Sequence, residues 1–402
     1  MKIVLAYSGG LDTSIIIPWL KEHYKGVEVI AYCGDLGQLD SVNRDEEIIE
    51  LEKRAYSSGA SKFYLRDLRQ EFVKEYLFPL LRSGAVYEGK YLLGTSIARP
   101  LQAKHHVDIA KSEGAQALCH GCTGKGNDQV RFEMAYKALA PDLEIIAPWR
   151  IWELTSREEA IEYAIKHNID LKGISHTNIY SRDSNIWHTS HEGGDLEDLG
   201  NRPKAQLYQR SLSPKDAPDS ESIVAIEFKK SFPVALNGEK INPSDLISKL
   251  NTLGKENAIG RTDVIETRLV GMKSRGIYET PGGTILWHAL REIESVNLDS
   301  EVLHYKQLLS LRYAELVYNG KWYSPLRKAI DHFNESISDV VNGTVTMALY
   351  KGNITVVSRE SVKGLYNRDL ASFSDGAYDH SDATGFINLY GLSEEIRARY
   401  QS

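Results

Sequence analysis

The strongest constraint on the fold is a series of short apolar segments without polar alternation, spaced by longer amphipathic stretches, across residues 1–150. Lys2–Tyr7, Glu28–Cys33, Lys62–Leu65, Tyr91–Gly94, Ala115–His120 and Glu144–Ala147 are dominated by Val, Ile, Leu, Ala and Tyr. Strands of that kind are buried on both faces, as in a parallel sheet covered by helices. Helical spacing falls between them, at Asp12–His23, Arg44–Ser57, Leu68–Leu81, Pro100–Ser112 and Asp128–Leu139. The alternation predicts an α/β fold built on a doubly wound parallel sheet. The first helix is apolar nearly all round at Ile15, Ile16, Ile17, Trp19 and Leu20, so it should be buried. Pro18 inside it predicts a kink or a short first segment.

The chain has 402 residues, which at about 150 per domain points to two or three domains. Its 48 basic and 55 acidic residues give a net charge of −7, a sign that attracts neither nucleic acid nor an anionic membrane over long range. Small molecules are therefore the expected partners. The opening lacks the pattern of a secretion signal, and there is no apolar run of about 18 residues or more, so a cytoplasmic protein is expected. Three cysteines suit a reducing compartment. Cys119 and Cys122 form a C-x2-C pair, but Cys33 alone cannot complete a four-cysteine site.

Composition changes after a weaker alternation at Thr155–His167, and a domain change is placed near residue 173. His188–Ser222 is dense in Gly, Pro, Asp and Ser and reads as a surface excursion. Ile223–Lys229 and Pro233–Leu236 read as a hairpin. Asn242, Pro243 and Gly254 read as the cap, first turn and end of a helix. Thr284–Tyr318 and Pro325–Val341 are helical by spacing, and Thr344–Tyr350 with Ile354–Ser358 forms a second hairpin around Lys351, Gly352 and Asn353. Leu392–Ser402 reads as an exposed helix suited to embracing a neighbouring subunit.

The chemical signal is Ser8-Gly9-Gly10-Leu11-Asp12-Thr13-Ser14 between the first strand and the first helix. Glycines let backbone approach an anion, a following helix offers unpaired N–H groups, and hydroxyls add donors. Without a lysine and without G-x4-G-K-[ST] or G-x-G-x-x-G spacing, this is neither an ordinary P-loop nor a dinucleotide loop. A second glycine-rich turn, Thr123–Asp128, leads into another helix with Lys125 for charge, and Asn127 and Arg131 share a helix face at i, i+4. Gly94-Thr95-Ser96 reads as the end of a strand, bringing hydroxyls to the carboxyl edge of the sheet.

Ser-Gly-Gly-x-Asp-[Ser/Thr]-Ser after a first strand resembles the pyrophosphate loop of the N-type ATP pyrophosphatases, which cleave ATP between the α and β phosphates. Four more strings, Tyr91–Pro100, His120–Glu133, Ala147–Arg150 and Gly271–Pro281, together with Asp382–Phe386, are similar to the argininosuccinate synthase family over almost the whole chain. That resemblance implies a ligase with ATP as co-substrate and Mg2+, condensing citrulline and aspartate through a citrullyl-adenylate. It implies an adenine nucleotide alpha hydrolase-like, Rossmann-like domain at 1–172, an α+β synthetase domain at 173–365, and a C-terminal oligomerisation tail at 366–402 used in a homotetramer. ATP contacts would fall at Ala6, Tyr7, Ser8, Gly9, Gly10, Leu11, Asp12, Thr13, Ser14, Gly34 and Gly121. Aspartate contacts would fall at Thr123, Asn127 and Asp128. Citrulline contacts would fall at Tyr91, Ser96, Asn127, Arg131, Ser181, Ser190, Glu266 and Tyr278. Metal ligands are not indicated, and Asp12 either orients the metal or caps the helix. A tRNA thiolase with Cys119 and Cys122 as sulfur carriers, and a nucleotide sensor without turnover, are the rival readings.

The role given to the loop predicts that Gly10→Val leaves the chain folded but abolishes turnover, because a branched side chain blocks close phosphate approach. Unchanged turnover of a folded variant contradicts that role.

Overall fold

The computed structural model describes residues 1–39, 42–124, 126–154, 157–169, 180–372 and 378–401. Lys125 and the domain change placed near residue 173 lie outside the described residues. Five strands, β1 (Lys2–Ala6), β2 (Glu28–Asp35), β3 (Lys62–Asp67), β4 (Ala117–His120) and β5 (Glu144–Ile146), form one sheet in the order β3-β2-β1-β4-β5, every pair parallel. One face carries Ile3 and Leu5 against Ile16, Ile17 and Leu20, with Leu51 and Ala55 from the helix Arg44–Ser57. The other carries Val4, Ile30 and Tyr32 against Ala103 and Val107 of the helix Gly94–Glu113 and Ala135 and Tyr136 of the helix Asp128–Leu139. The strand runs are apolar without alternation because both faces are covered.

The first helix is two pieces, Leu11–Ser14 and Ile16–His23, parted at Ile15, and Pro18 falls in the first turn of the second piece. A proline there removes a donor that has no acceptor, so the short-segment reading of Pro18 is the one realised. Two expectations fail nearby. Tyr91–Gly94 is not a strand: Tyr91 makes one isolated bridge to Tyr87. Gly94, Thr95 and Ser96 instead open the helix Gly94–Glu113, which contains Pro100 rather than starting at it. Leu93, at φ 60°, turns the chain into that helix.

A four-stranded antiparallel sheet has the order β11 (Arg261–Thr267), β12 (Lys273–Glu279), β7 (Thr189–Glu192), β6 (Ser181–Ser184). A further sheet has the order β10 (Glu239–Lys240), β9 (Phe232–Leu236), β8 (Ser222–Lys229), β13 (Gly343–Tyr350), β14 (Asn353–Glu360). Both predicted hairpins are present in it. The helix Pro281–Asn297 packs Ile285, Leu286, Ala289 and Ile293 into the core of this half. The same core takes Phe72, Val73, Leu77, Leu80 and Leu81 from a helical stretch whose middle, Phe72–Leu77, is a π-helix, so the halves share apolar packing. His188–Ser222 is only partly a surface excursion, because His188, Thr189, Ser190 and His191 are buried. The tail helices Asp382–Tyr390 and Leu392–Gln401 have no buried residue.

Gly254 does not end its helix, which runs Pro243–Glu256 with Asn242 accepting from Asp245 N–H as its cap. The glycine is there for space: a Cβ at Gly254 would stand 2.6 Å from the Pro281 Cβ. Gly254→Ala should therefore cost about 1–3 kcal/mol by overpacking, whereas an open helix position would gain about 1 kcal/mol from the same change. Urea unfolding of the two proteins gives the sign.

Candidate active site

Ligands of open parallel sheets bind outside the carboxyl ends of strands where the chain order switches direction. Here that point lies between β1 and β4, where Ala6 stands beside both Tyr32 and His120. The Ser8–Ser14 loop leaves the end of β1 and Gly121 leaves the end of β4. Thr13 Oγ1 lies 3.1 Å from Ser8 Oγ and accepts from Ser8 N–H at 3.3 Å, and Tyr7 Oη lies 3.1 Å from Ser14 Oγ. Arg54 donates to Gly9 O at 2.7 Å. Gly9 has φ +75°, and a Cβ there would meet Leu51 Cδ1 at 2.2 Å. Gly10 has φ −75° and ψ 170°, and its Cβ would meet only Ser8 Oγ, at 3.5 Å. Leu11 is buried against Ile15, Ala160 and Ala164, so it can offer a ligand only backbone, while Asp12 is exposed in the first turn.

A cavity of about 700 Å³ opens beside this loop, lined among others by Ala6, Tyr7, Ser8, Thr13, Gly34, Arg54, Arg99 and Gly121. Gly34 and Gly121 are closely packed in its wall: a Cβ at Gly34 would meet Tyr32 Oη at 2.8 Å, and one at Gly121 would meet Thr13 Cγ2 at 3.0 Å. A second cavity, of about 830 Å³, is lined among others by Tyr91, Thr123, Asn127, Arg131, Ser190, Glu266 and Tyr278. Gly121, Cys122, Asp128, Ser181 and Asp183 line both, so the cavities meet. The structure brings the expected aspartate and citrulline positions to the second cavity, except Ser96, which is fully buried in the helix Gly94–Glu113 and lines neither.

Strand pairing explains the convergence. Asp183 stands opposite Ser190 and Ser190 opposite Tyr278, and Ser181 stands opposite Glu192, so the period of two puts these side chains on one face. Glu266 on β11 is buried and accepts from Tyr278 Oη at 2.8 Å and Tyr318 Oη at 2.8 Å. Burial keeps both phenols well above their ordinary pKa, so they donate. Glu266 is thus neither solvated nor isolated.

At the junction, Arg99 donates to Asp128 and to Asp183, each at 2.8 Å, and Arg131 donates to Asp128 at 2.8 Å. Burial alone would raise the Asp128 pKa, but the two guanidinium groups override it and hold the carboxyl at about 2. His120 Nδ1 accepts from Cys122 N–H at 3.3 Å, so Nε2 carries the proton and donates to Glu133 at 3.1 Å, fixing the turn after β4. Arg99 lay inside a quoted string without a role, and Asp183, Glu192 and Arg268 carried no local signal at all. Arg268, the residue after β11, donates to Glu192 at the end of β7 at 2.6 Å.

Cys119 and Cys122 diverge, the first packing on the face with Ile3 and Leu5, the second against the face with Val4 and Tyr32. Burial pushes both thiols up, away from the thiolate that sulfur transfer needs. Among the described residues no three His, Cys, Asp or Glu side chains form a metal cage, and no helix is long and apolar enough to cross a membrane.

A glycine loop at the carboxyl edge of a parallel sheet opens on one cavity, which shares walls with a second, polar one, an arrangement that suits an ATP-dependent ligase of the adenine nucleotide alpha hydrolase class. Residues 2–170 match the model of the arginosuccinate synthase N-terminal HUP domain and residues 180–397 that of the arginosuccinate synthase C-terminal domain. An argininosuccinate synthase of Desulfitobacterium hafniense is 56% identical over 99% of this chain and 97% of its own length. One of Roseiflexus is 54% identical over 99% and 96%. A chloroplastic one of Arabidopsis thaliana is 53% identical over 99% of this chain and 79% of its own length. The chain belongs to the argininosuccinate synthase family, and the tRNA-thiolase reading falls with that membership.

The geometry separates the two loop glycines. Gly9→Ala should cost about 1–3 kcal/mol through left-handed strain and displacement of Leu51, while Gly10→Ala should unfold at nearly the wild-type urea concentration. Equal losses in both would show that the φ of Gly9 is not what the loop requires.

Proposed function

We propose that this chain joins citrulline to aspartate with ATP as co-substrate, releasing AMP and pyrophosphate, in arginine biosynthesis. The observation that carries this reading is the pair of cavities meeting at Gly121, Cys122, Asp128, Ser181 and Asp183. Two-step adenylation needs that arrangement, since one reactant must reach the nucleotide α-phosphate from a separate pocket.

In this reading the Ala6–Ser14 segment, Gly34 and Gly121 hold ATP, with Ser8 and Thr13 hydroxyls and loop N–H groups facing the phosphates. Citrulline lies at Tyr91, Asn127, Arg131, Ser181, Ser190, Glu266 and Tyr278, its ammonium toward Glu266. Aspartate lies at Thr123, Asn127 and Asp128. Ser96, which the family resemblance places at citrulline, is buried in the helix Gly94–Glu113 that also carries Arg99. The ureido oxygen attacks the α-phosphorus and pyrophosphate leaves; the aspartate amine then attacks the ureido carbon and AMP leaves. The protein positions the reactants and stabilises charge, with no covalent intermediate on a side chain. Mg2+ carried on the triphosphate would neutralise its charge. The described residues suit a cation brought in with the nucleotide rather than one held in a protein cage, and Asp12 is the carboxylate the loop offers.

The domain division at 1–172, 173–365 and 366–402 belongs to this reading. So does a homotetramer, supported by the exposed Phe386, Ile387, Leu389, Tyr390, Ile396 and Tyr400 of the tail helices. A cytoplasmic setting is supported by the unpaired Cys33, Cys119 and Cys122.

Incubation with ATP, Mg2+, citrulline and aspartate, followed by mass spectrometry, should yield AMP and argininosuccinate in equal amounts. ATP binding without AMP, or AMP without the condensed product, contradicts the reading.

A further inference from the structure

Tyr318 belongs to none of the motif strings, yet it touches three of the residues assigned to the amino-acid cavity. It is the last residue of the helix Ser300–Tyr318 and is fully buried. Its hydroxyl accepts from Asn127 Nδ2 at 2.8 Å and donates to Glu266 Oε1 at 2.8 Å. Its carbonyl oxygen accepts from Arg131 Nε at 2.9 Å, and the Arg131 guanidinium lies over its ring at 4.8 Å. Tyr87 stacks on the same ring, 3.7 Å between centroids and 5° from parallel. The turn that follows is fitted to this contact: Gly320 has φ +72°, and a Cβ there would stand 2.7 Å from Arg131 Cα.

The direction of the hydrogen bonds is determined. Leu269 N–H donates to Asn127 Oδ1 at 2.9 Å, which fixes the amide so that Nδ2 faces the phenol. The phenol, accepting there, must donate to Glu266, whose other oxygen is taken by Tyr278. Each carboxylate oxygen of Glu266 therefore receives one phenolic proton, and the plane of the carboxylate is set from two sides.

We propose that Tyr318 is a positioning residue for the amino-acid substrate, orienting Glu266 through a hydroxyl that Asn127 holds in direction, while its ring and carbonyl seat Arg131. This rests on the reading of the cavity as the citrulline pocket. Tyr318 lines neither cavity, so it acts through these partners and not on the reacting atoms.

Tyr318→Phe keeps the ring for Tyr87 and Arg131, keeps the carbonyl, and removes only the hydroxyl. Loss of one partner from buried polar groups predicts a KM for citrulline about tenfold higher, with kcat and the KM for ATP within about twofold because the lost interaction is uniform binding. The telling substrate is 5-ureidopentanoate, which is citrulline without its ammonium: the variant and the wild type should use it alike. Tyr76→Phe, which removes another buried hydroxyl at Tyr323 Oη, should leave the KM for citrulline unchanged. A Tyr318→Phe chain that fails to fold, that loses kcat and every KM alike, or that is equally impaired with 5-ureidopentanoate places Tyr318 in the core only and overturns the proposal. Wild-type protein with no citrulline-dependent AMP release overturns the pocket reading itself, and the proposal with it.

Discussion

The site depends on one carboxylate, Asp128, being held ionised between two guanidinium groups. Taking an ion out of water costs several kcal/mol, and attraction offsets this only where the geometry is good and the remaining lone pairs are satisfied. Asp128 meets both conditions, with one oxygen accepting from Arg99 and the other from Arg131. Arg99 also reaches Asp183, on β6 of the second half, so the network that fixes Asp128 also joins the two halves. Members of such a network are not additive: removing any one leaves a partly buried charge without its partner. The wall between the cavities is therefore fixed in charge and in place before any ligand arrives, which is the condition for electrostatic preorganisation.

Backbone carries the rest of the nucleotide side. Gly9 supplies a left-handed turn that other residues adopt only with strain, and Gly34 and Gly121 let the strand ends pack closely on Tyr32 and Thr13, where any Cβ would collide. The second half contributes by bracing. Asn185 Nδ2 donates to Gly94 O at 3.0 Å, Trp187 Nε1 donates to Leu92 O at 3.0 Å, and His188 Nε2 lies 3.1 Å from Thr95 Oγ1. The helix that carries Arg99 is thus seated at its start by a loop nearly a hundred residues away in sequence. That long-range brace is also the reason the segment at Tyr91–Gly94 misleads: its apolar residues are buried by packing against this loop rather than by pairing in the sheet.

What could be read from sequence follows from the range of the interactions involved. The parallel sheet was legible because burial on both faces writes itself into contiguous runs, and the helices Arg44–Ser57 and Asp128–Leu139 because their spacing is local. Gly254 was misread because a glycine near a helix end has the same local signature whether it caps the helix or admits Pro281. Asp183, Glu192 and Arg268 were invisible for a related reason: the hairpin of β6 and β7 is far in sequence from β11 and the residue that follows it, and only their pairing through β12 brings them to one wall. Tyr318 is the extreme case, an aromatic at a helix end whose role exists only through partners near residues 127, 131 and 266.

The charge pattern of the cavities explains how a chain of net charge −7 can receive anionic substrates. Among the described residues the lining cations Arg54, Arg99, Arg131, Arg182, Arg268, Lys273 and Arg275 are matched by Glu47, Glu50, Asp128, Asp183, Glu192, Glu197 and Glu266. Several cations are already committed: Arg99 and Arg131 to Asp128, Arg268 to Glu192, Arg275 to Asp263 and Arg54 to Gly9 O. A cavity so balanced does not collect anions by long-range field. It selects by short-range geometry, with backbone N–H groups and hydroxyls at the phosphate loop and opposed fixed charges in the neighbouring cavity. That division suits one polyanion and two zwitterion-like metabolites, because the amino acids each present an ammonium and a carboxylate to a wall that already holds both signs in fixed places.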